Sequence, residues 1–219
     1  MKVDIWSDIR CPFCYIGKRK FENALENFPH KKDVEVIWHS FQLDPNLQTQ
    51  PEKDTIDYFT EVKGVSREQA LQMFNGAKKM AEESGIELKP ETSVLANSEK
   101  SHQLLQFAKT KSLGNEMKEA LFIAHFKEAK NIDDIDTLVE IANVVGLDKA
   151  ETKEVLTSGK FLQAVKQDEL AAQKIGVRGV PFFVFSNKYG VSGAQAEETF
   201  LEILQKTWEE TEEPKLSYY

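Results

Sequence analysis

The sequence predicts an α/β fold in which a large all-helical insertion separates a βαβ half from a ββα half. Two β-rich runs with a helix between them open the chain, and helical patterns fill most of the middle. A β-rich run returns at GVPFFVF, and a final amphipathic helix follows it. We therefore predict a discontinuous α/β domain, residues 1–52 and 170–219, interrupted by a helical insertion, residues 53–169.

The first half of the α/β domain predicts a strand, a helix and a second strand. Residues 2–6, KVDIW, form the first strand, and the helix runs from Cys14 to about Asn27. Residues 34–43, VEVIWHSFQL, are rich in β-formers and end at the turn signal DPN. Together they make a βαβ unit whose first turn carries the sequence CPFC.

The insertion and the end of the chain complete the order of elements. Ser66 and Gln69 predict a capping box at the start of one inserted helix, and Asp148 with Glu151 predicts a similar start. After the strand in GVPFFVF, the chain turns at SNKYG, forms a second short strand and ends with a helix. This order is that of a thioredoxin fold interrupted by a helical insertion.

Composition limits the partners and the location. The 219 residues carry a net charge of −8, with a pI near 5.2, which argues against nucleic-acid and anionic-membrane surfaces. No apolar run is long enough for a signal peptide or a membrane span. We therefore expect a cytoplasmic protein that binds neither nucleic acid nor membrane.

The chain has two cysteines, Cys11 and Cys14, two residues apart. In a reducing compartment such a pair is typical of redox chemistry or of a metal site. A zinc site needs about four ligands, and the histidines show no paired ligand spacing, so we expect no metal. A chance pair is disfavoured because Pro-Phe separates the cysteines at a strand–helix turn. The four histidines are His30, His39, His102 and His125.

The position of the cysteines predicts their roles. Cys11 lies where a strand ends and a helix begins, so the helix dipole should lower its pKa and favour the nucleophilic thiolate. Pro12 suits the first helical position because it lacks an N–H. Cys14 follows three residues later on the same helix face, within reach of a disulfide. We predict Cys11 as the nucleophile and Cys14 as the resolving cysteine.

Neighbouring residues supply candidates for supporting roles. Asp4 should be buried in a central strand, where it could accept the proton of Cys14. Phe13 and Trp6 should make the rim of the site apolar and contact the substrate. Pro181 should begin a strand beside the active-site helix, after a cis Val180–Pro181 bond that turns the N–H and C=O of Val180 outward. An extended substrate could pair with that edge.

Several motifs resemble the DsbA-like branch of the thioredoxin superfamily. They include SDIRCPFCYIGK, NSEKSHQLLQFA, AAQKIGVRGVPFFVF and VSGAQ, and the resemblance covers nearly the whole chain. Within this branch the chain is most similar to FrnE-type proteins, which are related to 2-hydroxychromene-2-carboxylate isomerases and kappa-class glutathione transferases. The resemblance implies a catalytic cis-proline at Pro181, an inserted helix over the site with His102 as a substrate contact, and a homodimer. Strong oxidants of this branch have His where Phe13 stands, which implies a more reducing pair here.

Three functions follow from these observations. The first is a thiol–disulfide oxidoreductase acting on a protein or small-molecule disulfide, with a reducing thiol system as its partner, no bound cofactor and glutathione as a candidate co-substrate. The second is a glutathione-dependent isomerase or transferase of the kappa-class type, in which Ser usually replaces Cys11. The segment at Ser192 suggests this second function, because it could hold a carboxylate at the start of a helix. The third is a redox-inactive adaptor, and the intact C-P-x-C favours the first.

Overall fold

The structure is a computed structural model that describes residues 1–212. The strands are β1 (Lys2–Ser7), β2 (Glu35–Ser40), β3 (Phe182–Phe185) and β4 (Tyr189–Ser192). The helices of the first half and the early insertion are α1 (Pro12–Glu26), α2 (Thr55–Lys63), α3 (Arg67–Glu83) and α4 (Glu99–Thr110). They are followed by α5 (Gly114–Phe126), α6 (Ile135–Val145), α7 (Lys149–Ser158), α8 (Leu162–Lys174) and α9 (Glu197–Glu212).

The four strands form one mixed sheet in the order β2-β1-β3-β4. β1 pairs in parallel with β2, so that Ile5 lies opposite Trp38. β3 runs antiparallel to β1, with Phe183 opposite Ile5, and β4 runs antiparallel to β3. The helical block α2–α8 lies between β2 and β3 in the chain, which confirms the predicted thioredoxin fold with a helical insertion.

The domain boundaries stay a prediction. The predicted insertion, residues 53–169, contains α2 to α7, but α8 continues past its end to Lys174. Residues 213–219, the end of the predicted segment 170–219, lie outside the described residues. No helix within residues 1–212 combines the length and apolar character that crossing a membrane requires.

Helix starts follow the local sequence. α1 begins at Pro12, two residues earlier than predicted, because proline lacks the N–H that would be unpaired at that position. The capping box of Ser66 and Gln69 is present at the start of α3. The Asp148 side chain accepts a hydrogen bond from the N–H of Glu151 at the start of α7. These contacts satisfy backbone donors that have no partner within their own helix.

The main core packs α1 and α9 against the sheet. Phe21 of α1 meets Phe183 of β3 and Phe200 of α9 with ring centroids 5.6 and 5.8 Å apart. Burial of each such side chain stabilises the fold by about 1.5–3 kcal/mol. A second apolar cluster lies at the start of α1, where the insertion covers it. Its buried members are Cys11, Cys14, Tyr15, Ile16, Ala81, Ile86, Leu88, Phe122 and Phe126.

Candidate active site

The two cysteines lie at the first turn of α1, directly after β1. The N–H of Cys11 donates to the carbonyl of Asp8 at 3.2 Å, and the N–H of Cys14 donates to the carbonyl of Cys11 at 3.0 Å. Both side chains are free thiols, 4% and 1% exposed. The local turn therefore brings the predicted pair together in one apolar cluster.

The loop before β3 faces the cysteines from across the site. The Val180–Pro181 peptide bond is cis. The thiol of Cys11 donates to the carbonyl of Val180 at 3.6 Å, so this carbonyl does not face outward as predicted. The carbonyl of Val180 contacts the sulfur because the loop lies over the first turn of α1.

A glycine allows α1 to approach this loop. A Cβ atom added to Gly17 would lie 2.9 Å from Cγ of Pro181 and 3.5 Å from the backbone of Ala194. Real Cβ atoms do not approach other carbons to 2.9 Å, so a larger residue at this position would displace Pro181. The carbonyl of Pro181 accepts a hydrogen bond from the N–H of Gly193 at 2.8 Å, which holds the loop in place.

The electrostatics of Cys11 differ from the prediction. The hydrogen bond to the side chain of Cys14, burial, and the nearby carboxylate of Asp8 raise the pKa of the Cys11 thiol well above its ordinary value. We predicted a lowered pKa from the helix N-terminus. That prediction is wrong because burial and the hydrogen bond with Cys14 disfavour the thiolate more than the helix N-terminus favours it.

Of the two predicted rim residues, one lies at the surface. Phe13 is 42% exposed beside the cysteines. Trp6 is only 6% exposed. Its ring stacks on His39 at 4.4 Å between centroids, and its N–H donates to the carbonyl of Asp168 at 3.0 Å. Trp6 therefore lies beneath the loop that contains Val180 and not on the rim.

Asp4 belongs to a buried polar network on the opposite side of β1 from Ile5. Its carboxylate lies 2.7 Å from Nε2 of His39 and 2.8 Å from Nζ of Lys2. Side chains alternate along a strand, so Asp4 shares a face with Trp6. This placement corrects the prediction that Asp4 accepts the proton of Cys14. We call this network the His39 cluster; its members are Asp4, His39, Ser40, Gln106 and Asp168.

His102 is brought close to the active-site turn, but beneath it. It is fully buried, and its Nε2 lies 3.4 Å from the carboxylate of Asp8. Burial lowers the pKa of His102, against the opposing effect of Asp8. The predicted contact with substrate is therefore not available to this side chain, because its ring is fully buried against Asp8.

Asp8 is a further residue at the site that was not predicted from the sequence. This residue is fully buried directly after β1, and its carboxylate accepts hydrogen bonds from the N–H of Leu43 at 2.8 Å and of Arg10 at 3.2 Å. Burial alone would raise its pKa, but the hydrogen bond and charge of His102 and the N–H of Leu43 hold the pKa of Asp8 well below its usual range.

Lys118, which lies in α5 of the insertion and is fully buried, was likewise not predicted from the sequence. Its Nζ donates to the carbonyl of Ser7 at 3.4 Å. A signal was present in the sequence, because Lys118 precedes Leu121 and Phe122 by three and four residues and so shares their apolar helix face. We call Asp8, His102 and Lys118 the Asp8 cluster.

A second set of charges joins α1 to α5 nearer the surface. The carboxylate of Glu119 accepts hydrogen bonds from Tyr15 at 2.8 Å, from Lys18 at 2.6 Å and from Arg19 at 2.7 Å. The ring of Tyr15 also stacks on Phe122 of α5, with centroids 4.8 Å apart. These contacts fix the helix that carries the cysteines against the insertion.

The described residues offer thiol chemistry. Among residues 1–212 there is no group of three or more His, Cys, Asp or Glu side chains placed to hold a metal ion. Two neighbouring thiols can form a disulfide and release two electrons. The site can therefore alternate between a dithiol and a disulfide.

Comparison with known proteins identifies relatives of the whole chain. Residues 2–205 match the family model described as a DSBA-like thioredoxin domain. The protein YwbO of Bacillus subtilis (strain 168) is 32% identical over 201 residues, 90% of this chain and 92% of YwbO. The crystal structure of the probable DsbA oxidoreductase SCO1869 from Streptomyces coelicolor has 35% identity and a TM-score of 0.92, covering 100% of this chain and 94% of that one. The cytosolic disulfide reductase DsbM from Pseudomonas aeruginosa with GSH shares the fold at 17% identity and a TM-score of 0.68, covering 95% and 100%.

Proposed function

Because the chain belongs to the DSBA-like thioredoxin domain family, we propose that it is a thiol–disulfide oxidoreductase that exchanges disulfides through Cys11 and Cys14. One observation carries the proposal: two buried free thiols share the first turn of α1, and the sulfur of Cys11 faces the carbonyl of Val180. The substrate is a protein or small-molecule disulfide, and neither the chemistry nor the thiol pair needs a bound cofactor.

The reaction proceeds in two exchanges. The Cys11 thiol loses its proton and attacks one sulfur of the substrate disulfide, forming a mixed disulfide and releasing the other sulfur as a thiolate. Cys14 loses its proton and attacks the sulfur of Cys11, forming the Cys11–Cys14 bond and releasing the second substrate sulfur. Both released thiolates take up protons. Two electrons pass to the substrate, and an external dithiol returns them.

The electrostatics support the reducing direction. A raised pKa of Cys11 means that the dithiol gains no stabilisation from a thiolate at neutral pH, in contrast to strongly oxidising pairs, whose reduced form is stabilised. A reductant of this kind acts in the cytoplasm together with a reducing thiol system. Assembly as a homodimer stays a prediction from the family resemblance.

The proposal is tested by turbidity during insulin reduction with dithiothreitol as the electron donor. The wild-type protein should accelerate the reaction, and Cys11→Ser should abolish the acceleration because the attacking thiol is lost. Cys14→Ser should instead accumulate a mixed disulfide on Cys11, seen as a mass increase that dithiothreitol reverses. The proposal is wrong if Cys11→Ser retains the wild-type rate.

A second candidate, a glutathione-dependent isomerase or transferase, has the support of the fold shared with 2-hydroxychromene-2-carboxylate isomerase at 15% identity and a TM-score of 0.68. The predicted carboxylate site near Ser192 gains no support, since α9 begins at Glu197 and has Glu197 and Glu198 in its first turn, where they repel an anion. Calorimetry with glutathione on the Cys11→Ser/Cys14→Ser protein tests the second candidate. No heat at millimolar glutathione would remove it, whereas binding would fit a glutathione-dependent enzyme of either kind.

A further inference from the structure

Lys118 is a buried lysine without an opposite charge in contact. Its side chain is fully buried, and its Nζ makes one long hydrogen bond, to the carbonyl of Ser7 at 3.4 Å. Nζ also lies 4.9 Å from the ring centroid of Phe122 and 5.6 Å from that of Trp38. Within residues 1–212 it forms no ion pair. Because an isolated ammonium is costly to bury, its position needs an explanation.

The charged and titratable groups that face Lys118 include both sulfurs of the site. Burial lowers its pKa to about 8, while Cys14, then Asp8, then Cys11 oppose that shift, and Lys18 reinforces it. Cys14 is thus one of three neighbouring groups that favour the charged form of Lys118. The geometry agrees, since Phe122, one turn after Lys118 on α5, packs in the same apolar cluster as the cysteines.

Asp8 and His102 do not favour a thiolate at Cys14. The Asp8 carboxylate accepts from the N–H groups of Leu43 and Arg10 and lies against the ring of His102. These partners hold the pKa of Asp8 far below its usual range, so it stays negative and disfavours a second negative charge nearby. Burial lowers the pKa of His102, which disfavours its charged form. Lys118, by contrast, is positively charged below about pH 8.

We propose that Lys118 controls the protonation of Cys14 during the resolving step. The inference rests on the proposed function and deepens it. The Cys14 thiol releases its proton to water, and the buried ammonium of Lys118 stabilises the thiolate that remains. This thiolate attacks the sulfur of Cys11 in the mixed disulfide, so that the Cys11–Cys14 bond forms and the bond from Cys11 to the substrate sulfur breaks. Cys14 is oxidised, the substrate sulfur is reduced and leaves as a thiolate, and that thiolate takes a proton from water.

The test follows the two steps separately in stopped-flow reactions of the reduced protein with 5,5′-dithiobis(2-nitrobenzoate). Attack by Cys11 releases the first thionitrobenzoate, and attack by Cys14 on the mixed disulfide releases the second. In Lys118→Met the second release should slow by at least about tenfold at pH 7, and its pH midpoint should rise. The first release should change less than the second. A second release with the wild-type rate and pH profile would overturn the proposal.

Two controls separate electrostatics from structural damage. Lys109→Met removes a half-buried lysine of α4 that contacts Gln106, and it should leave both releases unchanged. If Lys118→Met does not fold, the thiolate absorbance of Cys14 at 240 nm is titrated in Cys11→Ser, with Lys118→Gln as the comparison. The titration midpoint should be higher in the Gln variant, and an equal midpoint would contradict the proposal. A wild-type protein that releases both equivalents but does not reduce insulin would reject the proposed function and leave the role of Lys118 to be judged on its own.

Discussion

Two buried polar clusters lie beside β1, and they differ in how completely their groups are paired. In the His39 cluster both ring nitrogens of His39 lie 2.7 Å from carboxylate oxygens, one of Asp4 and one of Asp168. The other oxygen of Asp168 accepts hydrogen bonds from the N–H of Ser40 at 2.8 Å and from the side chain of Gln106 at 2.6 Å. These contacts tie α4 and α8 to β1 and β2.

The Asp8 cluster is less complete. Nζ of Lys118 has one hydrogen bond, at 3.4 Å. Within residues 1–212, Nδ1 of His102 and the hydroxyl oxygen of Ser7 are buried without a hydrogen-bond partner. The Asp8 cluster, and not the His39 cluster, faces the cysteines.

The difference separates a structural network from a chemical one. A fully paired buried network holds elements in one arrangement, because each member would be costly to leave alone. Groups that remain incompletely paired, with shifted pKa values, tend to cluster where a reaction needs them. Asp4 and Asp8 lie four residues apart in the chain, yet one belongs to each kind of cluster.

The largest expected effect on stability comes from disrupting the His39 cluster. Asp168→Ala should lower the free energy of unfolding by about 3–5 kcal/mol, because it removes the acceptor of the Ser40 N–H, one of the two carboxylates at His39 and one of the two partners of the Gln106 amide. Urea denaturation measures this. Asp136→Ala, which removes an exposed partner of Lys153, is the control and should cost under about 1 kcal/mol.

The loss of stability in Asp168→Ala should depend on pH in the acidic range. Although burial opposes ionisation, the hydrogen bond and charge of His39 lower the pKa of Asp168 below its unfolded value. The stabilisation by Asp168 is therefore present above the unfolded pKa, about 4, and is lost as the pH falls. The difference in stability between the wild-type protein and Asp168→Ala should shrink below pH 4. A difference that stays constant down to pH 2 would contradict the structural role.

The next largest effect on stability has the opposite sign and concerns the Asp8 cluster. The pKa of Lys118 is about 8 in the folded protein and 10.5 unfolded, so folding opposes its charge below pH 8. Lys118→Met should therefore be more stable than the wild-type protein at pH 7, by up to about 3 kcal/mol. The advantage should decrease as the pH rises from 8 to 10.5, because the unfolded lysine then also loses its proton. Denaturation of both reduced proteins across this range measures it, and a destabilised Lys118→Met would contradict the prediction.

The smallest effect on stability tests the approach of α1 to the loop at Pro181. Alanine at a helical glycine usually stabilises by up to about 1 kcal/mol, but in Gly17→Ala the contact with Pro181 opposes this gain. We expect a change in stability within about 1 kcal/mol and a several-fold slower insulin reduction, since both clusters remain intact while the loop moves. Gly76→Ala, where an added Cβ meets nothing within 4 Å, is the matched control. Equal activity of both variants would show that the close approach is unimportant.

The fold could be predicted from the sequence because its signals are local. Proline after Cys11, the capping box at Ser66 and the β-rich run before Phe185 each mark an element through nearby residues. The cysteine pair could be found for the same reason, since one turn of helix brings it together.

The supporting residues could not be assigned in this way. The side of the sheet to which Asp4 points depends on the packing of α8, which is distant in sequence. The burial of His102 and the closeness of Lys118 to the sulfurs likewise arise only when the insertion docks on α1. The sequence shows that Lys118 lies on an apolar helix face, but it does not show against which part of the fold that face packs.

The neighbouring positions Lys118 and Glu119 make the register of α5 a determinant of the site. Glu119 binds the outer side of α1, while Lys118 donates to the carbonyl of Ser7 at the end of β1. One residue of slip along an α-helix rotates the side chains by about 100° and moves them by about 1.5 Å. A single-residue deletion early in α5 would therefore bring Glu119 to the position of Lys118 and reverse the sign of the charge there, and an insertion would bring Met117 there and remove the charge. The chemistry of the cysteine pair therefore depends on the register of α5 and not only on its presence.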